Sequence, residues 1–192
     1  MKHLAALLFL ALSILFFAQA TQVAQAALRL PENHPVTSDT VTHPCEADPA
    51  YHTLDFWVGS WDVYDNHDRS KGGTDVVEKV LDGCAIIENW HELSADGADG
   101  KSLFYYQRAT KSWKQVWVTA VGPIKEKKLI QELKDGGVRF QGEIPHPDGK
   151  SHLDRTTLRP IDKDRVHQVI EISRDSGRTW EVTFDAEYRR QK

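Results

Sequence analysis

The chain has 192 residues, of which 24 are basic and 28 acidic, so its formal net charge at pH 7 is −4. This balance provides no basic surface for nucleic acid, and we expect no nucleic-acid partner. The nine histidines show none of the H-x-H or H-E-x-x-H spacings of metal sites, and no P-loop or dinucleotide fingerprint occurs. We therefore predict no metal and no other cofactor.

Residues 1–26 have the pattern of an export signal peptide. Lys2 and His3 form a basic head, an apolar run from Leu4 to Phe17 follows, and small residues place the cleavage after residue 20 or residue 26. The run is shorter than the roughly 20 residues of a membrane span, although an uncleaved anchor remains the alternative. We expect no membrane span in the mature chain and a periplasmic or secreted location.

Residues 27–50 contain four prolines among polar residues and are predicted to form an irregular arm before a single domain at residues 51–192. Cys45 and Cys84 are the only cysteines. An even pair in an exported chain predicts a structural disulfide bond between them. Such a bond would close a loop of about 40 residues and contribute on the order of 4 kcal/mol in the chain-entropy model. A reactive or metal-binding thiol pair is the alternative, but no C-x-x-C spacing supports it.

The domain is predicted to be all-β, because turn signals such as Lys71-Gly72-Gly73 and Asp135-Gly136-Gly137 recur at short spacing. Between them lie runs rich in β-branched and aromatic residues, and no segment has a sustained helical period. We expect an up-and-down antiparallel β-barrel of about ten strands. The predicted strands lie near residues 59–65, 73–80, 84–93, 101–108, 113–121, 126–133, 137–144, 152–160, 165–173 and 179–190.

An aromatic turn, Asp55-Phe56-Trp57-Val58-Gly59-Ser60-Trp61, opens the first predicted strand. Gly59 allows a backbone bend that a Cβ would hinder, and Trp61 then points its ring to one side of the strand. We predict that Trp61 plugs the floor of the barrel and is buried by the strands that close it.

A hairpin signal precedes the last predicted strand. Residues 173–180 match the S-x-D-x-G-x-T-W pattern of the Asp-box, in which Asp and Ser tie the loop to its own backbone. A single copy indicates a hairpin stabiliser and not a sialidase propeller, with Trp180 as the anchor of the hairpin in the core. The dry face of the strand is predicted to carry every second residue, namely Trp180, Val182, Phe184, Ala186 and Tyr188.

Polar side chains beside tryptophans on the middle strands predict a ligand cavity, since such cavities are mostly apolar with a few convergent hydrogen-bonding groups. Gln115 lies between Trp113 and Trp117 on one strand face, and Glu88 shares a face with Trp90. The alternative is that these faces point outward and that Gln115 and Glu88 are solvated. The candidate ligand-binding residues are Glu88, Trp90, Tyr105, Trp113, Gln115 and Trp117.

Local spacing offers no catalytic pair. Glu88 and His91 are three residues apart on a predicted strand and therefore on opposite faces. His167 and Glu171 share a face but stand about 13 Å apart along the strand. The sequence alone assigns no catalytic residue and leaves enzymatic activity open.

The chain resembles an uncharacterised lipocalin-like (calycin-type) domain-of-unknown-function family of exported bacterial proteins in four blocks: residues 55–63, 83–90, 113–118 and 173–180. The resemblance covers roughly residues 45–190, and the Gly59-x-Trp61 pair is similar to the G-x-W signature of lipocalins. It implies an up-and-down β-barrel with a small-molecule cavity. The family has no established activity, so the resemblance implies no catalytic residues.

These features predict an exported barrel protein that binds a small apolar or amphipathic molecule in an aromatic-lined cavity, with Gln115 and Glu88 fixing its orientation. One alternative is a barrel enzyme (a hydrolase, lyase or isomerase) that uses Glu88 or His91 as its general base. A second alternative is a structural or interaction module without a ligand, which predicts a filled core and an exposed apolar patch.

Overall fold

The structure, a computed structural model, describes residues 44–192. Short helical segments come first: helix α1 (Pro44–Ala47) and two 3-10 turns (Pro49–His52 and Asp55–Trp57). Ten strands follow, with a third 3-10 turn (Arg108–Thr110) between the fourth and the fifth. The strands are β1 (Gly59–Asp65), β2 (Lys71–Val80), β3 (Ala85–Glu92), β4 (Gly100–Gln107), β5 (Ser112–Thr119), β6 (Lys125–Glu132), β7 (Val138–Pro145), β8 (Ser151–Asp162), β9 (Arg165–Ser173) and β10 (Glu181–Arg190).

Each strand pairs antiparallel with its neighbour along the chain, and β1 also pairs with β10, which closes the barrel. The closing register runs from Trp61 opposite Arg190 to Asp65 opposite Ala186. A closed barrel leaves no unpaired strand edge. The prediction of an all-β antiparallel barrel is confirmed, and each predicted strand bound lies within two residues of the observed one.

The two ends of the barrel differ in what covers them. At the closed end, where β1 begins and β10 ends, residues 44–58 lie against the core through the buried side chains of Tyr51, Leu54 and Trp57. At the open end lie the loops β1–β2, β3–β4, β5–β6, β7–β8 and β9–β10. No helix within residues 44–192 has the length and apolarity to cross a membrane.

A disulfide bond fastens α1 to the closed end. Cys45 is bonded to Cys84, which precedes β3, with the two Cα atoms 5.0 Å apart, so the predicted bond is confirmed. The last residues of the predicted irregular arm form helical turns instead, with the Asp48 carboxylate accepting the Ala50 N–H at 2.9 Å. The rest of the arm and the predicted signal peptide, residues 1–43, lie outside the described residues.

Aromatic side chains fill the barrel toward the closed end. The Trp57 and Phe104 rings lie edge to face with centroids 5.4 Å apart, and Phe104 packs on Phe140 in the same way at 5.4 Å. Trp61 is fully buried and donates its indole N–H to the Trp57 carbonyl oxygen at 2.9 Å. The Arg190 guanidinium lies 4.2 Å from the Trp61 ring centroid. Trp61 therefore lies in the floor of the barrel, as its place at the start of β1 predicts.

Gly59 is favoured by its backbone conformation, and it lies beside an arginine side chain. Its φ of +149° falls in the range that favours glycine, and a Cβ would lie 2.1 Å from Arg190 Nη1. That nitrogen donates a hydrogen bond to the Val58 carbonyl oxygen at 3.1 Å. A larger residue at Gly59 would therefore displace the arginine that covers the barrel floor.

Strand β10 departs from the predicted single dry face near its start. Ala186 and Tyr188 are buried inside and Phe184 faces the interior, whereas Val182 is 54% exposed. The pairing of β10 with β9 shifts register between Val182 and Phe184, and this bulge turns the earlier residues to the other side. The prediction is wrong for Val182, because alternation holds only where the ladder is regular.

The β9–β10 hairpin has the hydrogen bonds that its motif predicts. The Asp175 carboxylate accepts the N–H and the hydroxyl of Thr179 at 2.9 and 2.7 Å, and these contacts lower the pKa of Asp175 to about 2. Trp180, however, lies half-buried on the outer surface and not in the core. Its indole N–H donates to the Gly177 carbonyl oxygen at 3.1 Å, and the Arg155 guanidinium lies 3.8 Å from its ring. Trp180 thus anchors the hairpin against the outside of the barrel.

Candidate functional site

A cavity of ≈ 230 Å³ occupies the barrel interior between the aromatic core and the open end. Toward the open end its lining is an apolar wall, formed by Trp90, Trp117, Ile170 and Phe184. Deeper in the barrel its lining is a polar layer, formed by Glu88, Gln115, Lys127, Thr156, Gln168 and Tyr188. The remaining lining residues are Glu92, Ala98 and Lys125. An apolar wall above a polar layer suits a molecule with one apolar and one polar end.

Strand alternation and strand direction together place these side chains. On β3, Glu88 and Trp90 both project inward, and Trp90 lies nearer the open end because β3 runs from the closed end to the open end. On β5, Trp117 lies above Gln115 for the same reason. These four predicted residues line the cavity, and their contact with a ligand stays a prediction.

Trp113 is buried in the aromatic core below the cavity and is not part of its lining. Its ring lies edge to face with those of Tyr51 and Tyr106, at centroid distances of 6.2 and 6.0 Å. Its indole N–H donates to the Ala50 carbonyl oxygen at 2.9 Å. The predicted lining role of Trp113 is wrong, because alternation indicates the side of a strand but not the depth in the barrel.

Tyr105 and His91 project from the outer surface. Ser102 and Phe104 are buried on the inner face of β4, so Tyr105 lies on the opposite face, where it is 37% exposed. The ring nitrogen Nδ1 of the exposed His91 lies 2.9 Å from Asp99 Oδ1. The prediction that Tyr105 lines the cavity is wrong, and His91 does not face an enclosed substrate.

Two glycines, on β2 and β4, give the apolar wall its shape. A Cβ at Gly73 would lie 2.3 Å from Trp90 Cη2, and a Cβ at Gly100 would lie 2.1 Å from Trp117 Cη2. Each indole therefore lies across the backbone of the next strand, where only glycine leaves room. Phe184 packs edge to face on Trp90 with ring centroids 6.3 Å apart. The wall is thus a packed aromatic surface.

Most groups on the six side chains of the polar layer that line the cavity have partners, but two acceptors do not. Gln115 Nε2 donates to Ser102 Oγ at 3.1 Å, and the Tyr188 hydroxyl donates to Gln168 Oε1. Gln115 Oε1 and Glu88 Oε2 are buried without a hydrogen-bond partner among the described residues. An unsatisfied buried acceptor costs about 1–3 kcal/mol, so a donor from a ligand or a water molecule would be stabilising at these atoms.

Asp75 and Glu88 form a carboxyl pair on the paired strands β2 and β3. Asp75 is fully buried, and its burial followed by the charge of Glu88 raises the pKa of Asp75 to about 9. Burial likewise raises the pKa of Glu88 to about 7, although the Ser102 hydroxyl favours the charged form. Because two charges on neighbouring buried carboxyl groups repel, the pair holds one proton, on Asp75, and Glu88 titrates near neutral pH.

Lys127 is the buried cation of the polar layer. Its side chain is 2% exposed, and Nζ lies 2.5 Å from Asp154 Oδ1 and donates to Thr156 Oγ1 at 2.6 Å. Lys125 Nζ lies 2.8 Å from the other Asp154 oxygen, so one carboxylate serves two ammonium groups. Burial lowers the pKa of Lys127 to about 8, although Asp154 favours its charged form. Although burial opposes them, the two lysines hold the pKa of Asp154 below its usual range.

Sequence reasoning missed Lys127 of the polar layer and the two buried carboxyl groups next to the layer, Asp75 and Asp154. Lys127 lies in the run Lys125-Glu126-Lys127-Lys128, which has the composition of a solvated strand. Alternation with Leu129, which lies on the same face of β6 and packs against the core, was the available signal. The ion pair of Lys127 with Asp154 joins β6 to β8, and no local spacing reveals such a contact.

No protein-family model matches the chain, and no curated protein does. Within residues 44–192, no group of three or more His, Cys, Asp or Glu side chains is arranged to hold a metal ion. The fold and site define a closed antiparallel barrel of ten strands with an internal cavity that is apolar toward its mouth and polar at depth. Function is therefore inferred from this cavity.

Proposed function

We propose that the chain is an exported, lipocalin-like barrel protein that binds a small amphipathic molecule. The polar head of the ligand would reach the polar layer, and its apolar body would lie against the wall of Trp90, Trp117 and Phe184. The observation that carries the proposal is the pair of unfilled acceptors, Gln115 Oε1 and Glu88 Oε2, beneath that wall. A hydroxyl or N–H of the head group would donate to them, while the indoles supply apolar contact area.

The volume of the cavity limits the size of the ligand, and the disulfide bond bears on the location of the protein. A volume of ≈ 230 Å³ is below the roughly 300 Å³ at which pockets for drug-sized ligands begin, so the ligand is small, such as one aromatic ring with a short polar group. The Cys45–Cys84 bond agrees with an oxidising compartment, which supports a periplasmic or secreted location.

Benzyl alcohol tests the proposal, because its ring matches the wall and its hydroxyl matches the unfilled acceptors. Titration should change the intrinsic tryptophan fluorescence saturably, and Trp117→Phe should remove much of that change. The matched control Trp180→Phe alters a tryptophan on the outer surface and should leave the response intact. A response lost in Trp180→Phe but kept in Trp117→Phe would place binding outside the cavity and contradict the proposal. Native mass spectrometry of protein from its own compartment would then identify the natural ligand.

An enzyme is the second candidate, and the pKa of about 7 of the buried Glu88 favours it. A carboxylate that titrates near neutral pH inside an apolar site is a usable general base, whereas His91 lies outside the barrel. A nitrobenzisoxazole, whose ring opens when a base removes its carbon-bound proton, is a suitable probe. Glu88→Gln should abolish any turnover that the cavity supports, and an unchanged rate would eliminate Glu88 as the base.

The cavity argues against the third alternative, a structural module without a ligand. That alternative predicts a filled core, whereas the open half of this barrel contains a cavity lined by unpaired polar groups. Exposed apolar side chains do occur on the outer face, among them Leu103 and Val118. Leu103 lies opposite Ile87 and Val116 in the ladder, so it is the cavity, and not the outer surface, that argues against a module without a ligand.

A further inference from the structure

We infer that Lys127 binds carbonyl ligands covalently, by forming a reversible imine with an aldehyde or ketone that enters the cavity. The inference rests on the proposed ligand-binding function and names one chemical class of ligand for the same site. Lys127 lines the cavity with its side chain 2% exposed, whereas its neighbour Lys128 projects outward and is exposed. A carbonyl compound held by the apolar wall would therefore meet this lysine at the depth of its polar head.

Two contacts fix the Lys127 nitrogen without enclosing it. Thr156 Oγ1 lies 2.6 Å from Nζ and Asp154 Oδ1 lies 2.5 Å from it. Both partners project from β8, and among the described residues Nζ has no third hydrogen-bond partner. The third position on the nitrogen is therefore left for a ligand in the cavity. A nitrogen held in this way needs little reorientation before it attacks a carbonyl carbon.

The arrangement of charges makes the neutral amine accessible. Asp154 contacts both Lys127 and Lys125, so its carboxylate stays paired with Lys125 when Lys127 loses a proton, although ionised Glu88 favours the charged form of Lys127. Lys125 is more exposed than Lys127, so the buried lysine is the one whose charge is disfavoured by desolvation. The pKa of about 8 of Lys127 agrees with this assignment. An amine is nucleophilic only in its neutral form.

The reaction balances with groups that the cavity holds. Lys127 first loses a proton to solvent, and its lone pair then forms a bond to the carbonyl carbon while the C=O π pair moves to oxygen. One proton passes from nitrogen to that oxygen, which gives a carbinolamine. Glu88 passes the proton held by the Asp75–Glu88 pair to the hydroxyl group, the C–O bond breaks, and water leaves as the nitrogen lone pair forms the C=N bond, after which solvent returns a proton to Asp75. The cationic imine then has ionised Glu88 as its counter-ion, and no oxidant or reductant is consumed.

Reductive trapping with benzaldehyde tests the inference on the full chain. Sodium cyanoborohydride converts an imine to a stable benzylamine, which mass spectrometry of the intact protein counts and peptide mapping locates. At pH 8 the neutral fraction of Lys127 is roughly a hundredfold that of an ordinary lysine. We expect Lys127 to be labelled at least about tenfold faster than any other lysine, and benzyl alcohol to slow that labelling. Lys127→Arg, which keeps the charge, should remove the label, and the matched control Lys128→Arg should retain it.

The outcomes separate this inference from the proposed function. Labelling that is spread evenly over the lysines, or undiminished in Lys127→Arg, overturns the imine while benzyl alcohol binding still supports the ligand cavity. The absence of both benzyl alcohol binding and Lys127 labelling overturns both. If Lys127→Arg does not fold, the test is whether benzyl alcohol slows the labelling of Lys127 in the unaltered protein. Labelling that benzyl alcohol does not slow overturns the inference.

Discussion

Gln115 and Gln168 are two buried amides in the same polar layer, and they differ in whether the side-chain oxygen accepts a hydrogen bond. Gln168 Oε1 accepts the hydroxyl of Tyr188, whereas Gln115 Oε1 has no partner in the described part of the chain. Gln168 is therefore satisfied within the fold. Gln115 carries an unmet acceptor that a ligand or a water molecule can satisfy.

Gln115→Leu should weaken ligand binding more than folding. The substitution removes one hydrogen bond to Ser102 together with one unsatisfied acceptor, and these effects of about 1 kcal/mol each oppose one another. Benzyl alcohol affinity should fall roughly 5- to 30-fold, because its hydroxyl loses an acceptor. Fluorescence titration and urea unfolding measure the two effects, with Gln131→Leu on the outer face as the control. Equal affinity in both variants would show that Gln115 does not contact the probe.

Asp75→Asn should make stability less sensitive to pH. Between the ordinary Asp value of 3.8 and the folded value of about 9, only the folded state keeps the Asp75 proton. The free energy of unfolding therefore falls as pH rises through this interval, by up to about 3 kcal/mol from pH 5 to 7 for this one proton. Asn removes that contribution.

Urea unfolding at pH 5 and pH 7 measures the effect of Asp75→Asn. Asp96→Asn, in the exposed β3–β4 loop, is the control and should retain the pH dependence of the unaltered protein. Glu88 contributes in the same direction between 4.5 and about 7, so some dependence should remain in Asp75→Asn. If the free energy of unfolding fell equally from pH 5 to pH 7 in Asp75→Asn and in Asp96→Asn, Asp75 would not be the group that holds the proton.

At the scale of the strands, each tryptophan of the apolar wall depends on the strand beside its own. Trp90 projects from β3 across Gly73 of β2, and Trp117 projects from β5 across Gly100 of β4. The wall is therefore set by pairs of residues on different strands, and its shape depends on the register of the ladder.

Gly73→Ala should displace Trp90 and destabilise the barrel, whereas Gly72→Ala should not. A Cβ at Gly73 would lie 2.5 Å from the His91 carbonyl oxygen as well as 2.3 Å from Trp90, while a Cβ at Gly72 meets nothing within 4 Å. We expect a loss of about 1–3 kcal/mol for Gly73→Ala, from overpacking, and a neutral or slightly stabilising effect for Gly72→Ala. Urea unfolding compares Gly73→Ala with Gly72→Ala. Equal stability of the two variants would show that the apolar wall can shift to admit the methyl group.

Trp61→Ala should cost far more stability than Trp180→Ala, although both remove an indole. Trp61 is fully buried in the barrel floor, and Trp180 is half-buried on the outside. Truncation of a core tryptophan costs about 3–5 kcal/mol, and we expect clearly less for Trp180. Denaturant midpoints at an unchanged slope measure both, and a Trp61→Ala midpoint at or above that of Trp180→Ala would contradict the assignment of Trp61 to the core.

At the scale of the whole molecule, residues 44–58, which precede β1, contribute to the stability of the barrel. The disulfide spans 39 residues of sequence and holds α1 at the closed end, next to the buried rings of Tyr51 and Trp57. Releasing that segment would expose the aromatic core on which it packs.

Thiol titration under denaturing, non-reducing conditions should find no free thiol. The double variant Cys45→Ser with Cys84→Ser should then lose up to about 4 kcal/mol of stability, mostly because its unfolded chain is less constrained. The unaltered protein under reducing conditions is the matched comparison. Two reactive thiols in protein from its own compartment would contradict the assignment.

The sequence predicts the ladder of this barrel better than its interior. Turn residues and β-branched runs are local signals, so all ten strands and the hairpin at residues 173–180 are foreseen. Alternation predicts that Gln115 and Trp117 share a face, but it could not separate Trp117 at the cavity from Trp113 in the core. The contact of Lys127 with Asp154 depends on the register of three consecutive strands, and the bulge at Val182 on a local irregularity. Neither the Lys127–Asp154 contact nor the bulge at Val182 produces a pattern that can be recognised in a single sequence.

The pairing of β1 with β10 also determines the orientation of the cavity when the protein is attached to a surface through its last residue. Arg190 lies opposite Trp61, and the Gln191 N–H donates to the Ser60 carbonyl oxygen at 2.9 Å, so the chain leaves the barrel at its closed end. A molecule fixed to a sensor chip through Lys192 would present the mouth of its cavity to the flowing solution. An insertion in the β3–β4 loop would lie over the entrance instead, because Ala98 of that loop lines the cavity. Lys192 is therefore a suitable attachment point for a biosensor built on this barrel.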